Sequence, residues 1–313
     1  MKVLSDGMDA YALHLPQWFF RLLTAIPGAT KAYWDFIGYC TQQLQKRVDS
    51  HAKADPSKPD IIHTLIDHYN SSDNKKELWP MLCGDSRLII VAGSDTTATT
   101  LTHIFYYLAS KPECQKKLRE ELQEIKSKTK MVERTIPDQA LKEAPYLDGV
   151  IHEALRLNPP VASGVFRQTP AEGVKIRDTF IPGNTVIQMP QYAMGRCKWL
   201  KSRYLASFRI SYANLKLAPD NYADPDDFIP ERWSSKPDLI KHKDAFAPFS
   251  IGPFGCIGRN LAYMELRTIT SQIVDQFDVA LADGEDGSRL INQSTDHFTM
   301  GLEPLQLTFN RRQ

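Results

Sequence analysis

The stretch FSIGPFGCIGRNLAYMEL, residues 249–266, decides how this chain is read. Cys256 stands among Gly252, Gly255 and Gly258, directly before residues spaced as an amphipathic helix. Glycine lets a backbone turn tightly and come close to a flat ligand. The free amides that open a helix favour negative charge at its N-terminus. A cysteine placed there is expected to be held as thiolate, the form that binds iron and pushes electron density into a bound dioxygen. The competing reading is a buried structural cysteine, the ordinary fate of a lone one.

Working outward, helical spacing runs from 258 to 277, and strand signals follow near 278–281 and 298–309. Upstream lies an irregular, proline-rich stretch, 219–253. Before it, residues 174–176 and 185–188 flank Pro182 and Gly183 in the pattern of a short β hairpin. Residues 31–48, 60–69 and 77–110 have helical apolar spacing. Pro112 opens a charged helix, and Pro137 and Pro145 open two more, the second ending at Asn158 before Pro159 and Pro160. The sum is mainly α with a small β part, an α+β class.

Composition sets the bounds. A chain of 313 residues, 42% of them hydrophobic, can bury a sizeable core, which excludes disordered, collagen-like and disulfide-scaffold classes. Its 38 Lys+Arg against 37 Asp+Glu leave a net charge of +1, so no concentrated positive field points to a nucleic acid partner. The cysteines, Cys40, Cys83, Cys114, Cys197 and Cys256, have no C-x-x-C spacing and read as reduced thiols of an intracellular protein. The eight histidines are expected to form no metal cluster, because His63 and His68, five apart, face different sides of a helix. The longest clean apolar run, 88–93, is far short of the roughly 18 residues a spanning helix needs, and the start lacks a signal-peptide core. No membrane anchor is expected in the chain. Residues 13–28, LHLPQWFFRLLTAIPG, are aromatic and amphipathic, and either rest on a membrane surface or pack in a core.

The thiolate loop resembles the signature of the cytochrome P-450 haem-thiolate monooxygenases, F-x-x-G-x-[RH]-x-C-x-G. Phe249, Gly252, Cys256 and Gly258 match it in register. The resemblance implies that Cys256 is the axial iron ligand of a haem and that the fold is the C-terminal portion of the cytochrome P-450 fold. Phe254 departs from the pattern. It stands where the family has a cation paired with a haem propionate, and it can pack on the porphyrin but cannot neutralise a carboxylate.

Three further motifs follow the family's order. VAGSDTTATT, residues 91–100, read by itself as a helix cap, is similar to the family's distal helix motif through Ala92, Gly93, Asp95, Thr96 and Thr97. An acid beside an alcohol suits proton delivery in oxygen activation, so the resemblance implies that Asp95 and Thr96 form the proton relay. Glu153 and Arg156 in HEALRLNPP match E-x-x-R, which alone is an ordinary helix-surface pair. With Arg232 from FIPERW the resemblance makes them a buried ionic triad that locks the thiolate loop. Arg167 in SGVFRQTP lies where family members place a propionate-binding arginine, and without a loop cation it is the best remaining counter-charge.

The resemblance implies a monooxygenase that inserts one oxygen atom into a small hydrophobic substrate, in a fungal secondary-metabolism setting. A flavoprotein NADPH reductase would supply electrons, at the surface of the endoplasmic reticulum. Two alternatives stand beside it: a haem-thiolate isomerase or dehydratase, which often lacks the Thr96 alcohol, and a truncated, non-catalytic product. The chain 1–313 is expected to be the C-terminal part of one catalytic domain, lacking the family's N-terminal portion, and hence to hold haem weakly. Residues 197–217 intrude between MGR and PDNYADPDDFIPERW. Codons exist for Cys197-Lys198-Trp199, Ala213-Asn214 and Leu217-Ala218 that write a splice donor, a branch site and an acceptor, so this segment reads as a retained intron; the alternative is a surface loop.

Overall fold

Prolines mark the helix starts that the spacing predicts. The computed structural model describes residues 22, 26, 28, 30–53, 55, 57, 60–132, 135–176, 178–196 and 221–312. Segment 197–217, read above as a retained intron, and segment 13–28 apart from 22, 26 and 28, lie outside the described residues. Two compact units are present, Met1–Thr96 and Thr97–Gln313, and the division falls within one helix, α3 (Lys75–Ser110).

The first unit contains α1 (Lys31–Ser50), a 3-10 turn (His51–Lys53), α2 (His63–Ser71) and the start of α3. Leu44, Ile66 and Leu82 are buried together, with Tyr69 and Trp79 packed around them. Burial pushes the thiols of Cys40 and Cys83 up, which makes them poor nucleophiles. The histidines are not all dispersed as expected. His63 pairs with Asp67 at the four-residue spacing, not with His68, and the turn after α1 brings His51 to the same carboxylate.

In the second unit, Pro112 and Pro145 occupy the first turns of α4 (Pro112–Lys128) and α6 (Pro145–Leu157), where a missing N–H costs nothing. Pro137 caps the short α5 (Asp138–Leu141). Helix α6 is the centre of the core: Leu147, Val150, Ile151, Ala154, Leu155 and Leu157 are all buried, with Leu118 and Leu122 of α4 in the same cluster. Nine of its 13 residues are buried, and Asp148 and His152 lie on its half-buried side. A Cβ added to Gly149 would lie 2.5 Å from the Pro230 carbonyl oxygen. Only glycine lets the 3-10 turn Pro230–Trp233 press so close to α6.

The β part consists of antiparallel pairs. β1 (Phe166–Gln168) pairs with β4 (Val186–Gln188), and β2 (Val174–Ile176) with β3 (Thr179–Ile181). The expected hairpin is therefore corrected. Residues 174–176 turn back within two residues onto 179–181, a connection length that suits a hairpin. Pro182, Gly183 and Asn184, the last with φ 57°, then bend the chain away to β4. After α7 (Gln191–Arg196) and the irregular stretch, α8 (Arg259–Gln276) leads into β5 (Phe277–Leu281). The small α9 (Ser288–Gln293), β6 (Thr295–His297), β7 (Thr299–Gly301) and β8 (Leu307–Arg311) close the chain, β8 pairing with β5 and β6 with β7. Buried Gln115 of α4 donates to the Val279 carbonyl at 2.9 Å and accepts from the Val279 amide at 3.0 Å, tying β5 to the helices.

His103 of α3 and His152 of α6 lie inside this unit, and burial brings both imidazoles down to about 4. Below the ordinary 6.5, the unfolded chain takes up protons that the folded chain refuses. Their stabilising contribution is complete above that pH and is lost as the pH falls towards about 4. For His152 the loss is about 3 kcal/mol. Denaturant unfolding at pH 7 and pH 4.5 should show this loss, and His152→Phe should remove part of it. An identical pH slope in that variant would show that His152 is not the group responsible.

Candidate functional site

Charge is the first thing α6 must solve. Glu153 and Arg156 lie on its buried face, and both side chains are fully out of solvent, as is that of Arg232. The Glu153 carboxylate takes two bonds from Arg156, Nη2 to Oε1 at 2.7 Å and Nε to Oε2 at 2.8 Å. Arg232 Nε donates to the same Oε1 at 2.8 Å. The Ile229 amide and the Trp233 indole N–H complete the acceptor, at 3.0 and 2.9 Å. Two guanidiniums therefore share one carboxylate, leaving a positive excess. Backbone carbonyls absorb it: Arg156 donates to Gly195, Pro225 and Asp227, and Arg232 to Ala223 and Asp224. The Tyr222 ring lies 4.9 Å from the Arg156 guanidinium and 5.9 Å from that of Arg232, adding its negative face. The surface-pair reading of E-x-x-R is thus overturned.

An aromatic stack leads from this cluster to the cysteine loop. Trp233, bonded to Glu153, lies 4.4 Å from the Phe246 ring. His152 sits against Trp233, Phe246 and Tyr263, and Tyr263 packs on Phe249 at 5.0 Å. Phe249 in turn accepts the Cys256 amide at its carbonyl, 2.8 Å, closing the loop. Gly252, with φ 78°, and Ser250, with φ 60°, turn the backbone through the left-handed region. Gly258 caps α8, and a Cβ there would meet the Cys256 sulfur at 3.9 Å, so the thiol sits over the helix start.

Cys256 is exposed, whereas Cys40 and Cys114 are buried and Cys83 is half-buried. Around it the side chains of Ile251, Phe254 and Ile257 are 68%, 76% and 102% exposed, an apolar rim about a free thiol. Arg167, on β1, reaches this loop. Its Nη2 donates to Ser250 Oγ at 3.2 Å, and its guanidinium lies 5.6 Å over the Phe254 ring. A soft sulfur donor, an apolar rim and one nearby cation fit a flat, iron-bearing, apolar group with acidic edges, the chemistry of haem.

The remaining motif lies in the middle of α3, so the cap reading of 91–100 does not hold. Asp95 and Thr96 are half-buried, and Thr96 Oγ1 donates to the Ala92 carbonyl at 2.6 Å. A Cβ placed on Gly93 would meet nothing within 4 Å. This face of the helix is open beside the acid and the alcohol. Thr97 is buried and donates to Glu265 of α8 at 3.3 Å.

Sequence reasoning missed several participants. Trp233 stood in the quoted FIPERW, yet only its indole N–H, unread there, explains its place. Ser250 had no signal beyond its position in the loop. His152 lay one residue from Glu153 and read as ordinary. Asp148, which holds Arg267 of α8 through bonds of 2.7 and 3.0 Å, carries no motif.

Replacing Glu153 by Gln should cost about 3 to 5 kcal/mol, because two buried guanidiniums lose their only carboxylate. Urea unfolding measures this directly. A loss under about 1 kcal/mol would show that the carbonyls and Tyr222 suffice to hold both arginines.

The family model described as Cytochrome P450 matches residues 1–199 and 209–309. Cytochrome P450 monooxygenase lcsK of Purpureocillium lilacinum is 38% identical over 314 residues, covering 100% of this chain and 52% of the relative. Tryprostatin B 6-hydroxylase of Aspergillus fumigatus is 38% identical over 312 residues, 100% of this chain and 51% of the relative. Cytochrome P450 monooxygenase notG' of Aspergillus versicolor is 38% identical over 312 residues, with 100% and 52% covered. The chain spans about half the length of the curated relatives it matches. With the family match covering all but a few of its residues and such identity sustained throughout, the chain belongs to the cytochrome P450 family.

Proposed function

We propose that this chain carries the haem-thiolate half of a monooxygenase that inserts one oxygen atom from dioxygen into a small hydrophobic organic substrate, in fungal secondary metabolism. The observation that carries the reading is the exposed Cys256 thiol, set over the start of α8 in a glycine turn that the buried triad supports. The family is haem-thiolate, so the cofactor is haem with a cysteine ligand. When bound, haem supplies dioxygen binding and its reductive activation.

The chain's own residues have separate tasks in this reading. Cys256 holds the iron as thiolate, Gly258 keeps bulk away from the sulfur, and Gly252, with φ 78°, lets the loop turn. Phe249 anchors the loop to the core, and Phe254 offers an apolar face. Arg167 pairs with a carboxylate of the cofactor, pre-positioned by Ser250 and by its stacking on Phe254. Stacking desolvates one face of the guanidinium while its N–H edge stays available, so the phenylalanine in the usual cation's place orients the cation that remains. Asp95 stands beside Thr96, whose hydroxyl, held by donation to the Ala92 carbonyl at 2.6 Å, turns from that carbonyl to hand on a proton. Glu153, Arg156 and Arg232 keep the loop rigid and touch no reacting atom.

Electrons would come from a flavoprotein NADPH reductase at the endoplasmic reticulum surface. No helix among the described residues is long and apolar enough to cross a membrane. The relatives named as monooxygenases and as Tryprostatin B 6-hydroxylase support oxygen insertion into a hydrophobic metabolite as the reaction class. Residues 197–217 remain in this reading an intron-derived insertion. The family match breaks over 200–208, inside that segment, which supports it.

Three experiments test these readings. In the haem-bound protein, Cys256→Ser should abolish the red-shifted Soret band of the reduced carbon monoxide complex. Thr96→Ala should keep that band but cut product per reductant consumed, by about a hundredfold. An unchanged band in the serine variant overturns the ligand, and unaltered coupling in the alanine variant overturns the relay. For the insertion, sequenced cDNA should contain a form reading Gly-Arg-Ser-Pro across the junction; finding only the longer form makes the segment real protein.

A further inference from the structure

We propose a second metal site, unrelated to the haem, where α1 and α2 meet: His51, His63 and Asp67 bind one divalent first-row transition ion of the zinc type. A donor atom of each lies within 4.8 Å of those of the others. His51 Nε2 is 2.6 Å from Asp67 Oδ1, and His63 Nε2 is 3.4 Å from Asp67 Oδ2. The two imidazoles stand 4.4 Å apart between ring centres, tilted by 49°. Both rings thus present nitrogens to the two oxygens of one carboxylate.

The geometry is near what such an ion needs. Ligands about 2.1 Å from a tetrahedral zinc lie about 3.4 Å from one another. The His63–Asp67 separation already has that value, fixed by four residues of helix. The His51–Asp67 contact is a hydrogen bond, and opening it by about 0.8 Å, with the ring proton moved from Nε2 to Nδ1 and the Arg47 guanidinium, 3.4 Å from Nδ1, turned aside, completes the set. Nδ1 of His63 is buried without a hydrogen-bond partner, so binding at Nε2 moves the ring proton to a nitrogen with no acceptor, a cost that the metal–nitrogen bond must offset.

The surrounding charge permits a cation. Arg47 lies 3.4 Å from His51 Nδ1, but its Nε donates to Asp60 at 2.9 Å, and those two charges cancel. The carboxylate of Asp67 remains as net charge. Asp67 is 59% exposed while the two histidines are largely covered, so a fourth position opens to water. Two imidazoles and one carboxylate, with no thiolate, select zinc, nickel, cobalt or copper over calcium or magnesium. A bound ion would staple the turn after α1 onto α2.

The test uses the full chain, stripped with EDTA and titrated with Co2+ as a coloured probe, then competed with Zn2+. One equivalent of Co2+ should bind with d–d bands and no thiolate charge-transfer band, and Zn2+ should displace it. Asp67→Asn and His63→Gln should each weaken binding by about tenfold or more. Zn2+ should raise the melting temperature of the wild type and not of Asp67→Asn, whose exposed site tolerates the change. Absence of binding, a thiolate band, or unchanged affinity in Asp67→Asn would overturn the proposal.

Discussion

One carboxylate shared by two buried guanidiniums governs the rest of the second unit. Glu153, Arg156 and Arg232 have no water to solvate them, so every lone pair and N–H must find a partner in the protein. The carboxylate is saturated by three guanidinium bonds, one amide and one indole. The arginines are saturated by the Gly195 carbonyl and by carbonyls of the stretch around 221–239. That stretch is irregular because its carbonyls are committed to arginines and not to a strand or helix ladder. Charge satisfaction thus takes the place of regular hydrogen bonding in fixing the backbone there.

The same constraint reaches the cysteine loop through contact. Trp233 bonds the carboxylate with its N–H and packs on Phe246 with its ring, so a polar requirement becomes an apolar one within a single side chain. His152, Tyr263 and Phe249 carry that packing to the carbonyl that receives the Cys256 amide. The loop closes on itself through the Gly255–Gly252 and Cys256–Phe249 backbone bonds, and the side chains of Ile251, Phe254 and Ile257 face outward. Its rigidity is borrowed from the core behind it. Arg167 ties the neighbouring strand β1 to the loop as well, with its guanidinium over the Phe254 ring and its N–H donating to Ser250.

Burial separates the buried histidines from the acid and alcohol of α3. His103 and His152 are inside and neutral, so acid destabilises the fold through them. Asp95 and Thr96 are half-buried, on a helix face that is open beside Gly93.

The sequence by itself determined the features that depend on local rules. Proline positions and apolar spacing fixed the helix starts, and the glycines about Cys256 announced a tight turn before a helix. The order of four short motifs identified the family. Tertiary structure decided whatever depends on residues far apart in the chain meeting. Whether Glu153 and Arg156 formed a surface pair or a buried lock turned on Arg232 and Trp233, some eighty residues away. Strand pairing placed 186–188 against 166–168 and not against 174–176, because alternation marks a strand without naming its partner. His51 met His63 and Asp67 across a turn whose path no spacing rule gives. Periodicity is written into one segment at a time, whereas burial and charge pairing are properties of the segments once packed.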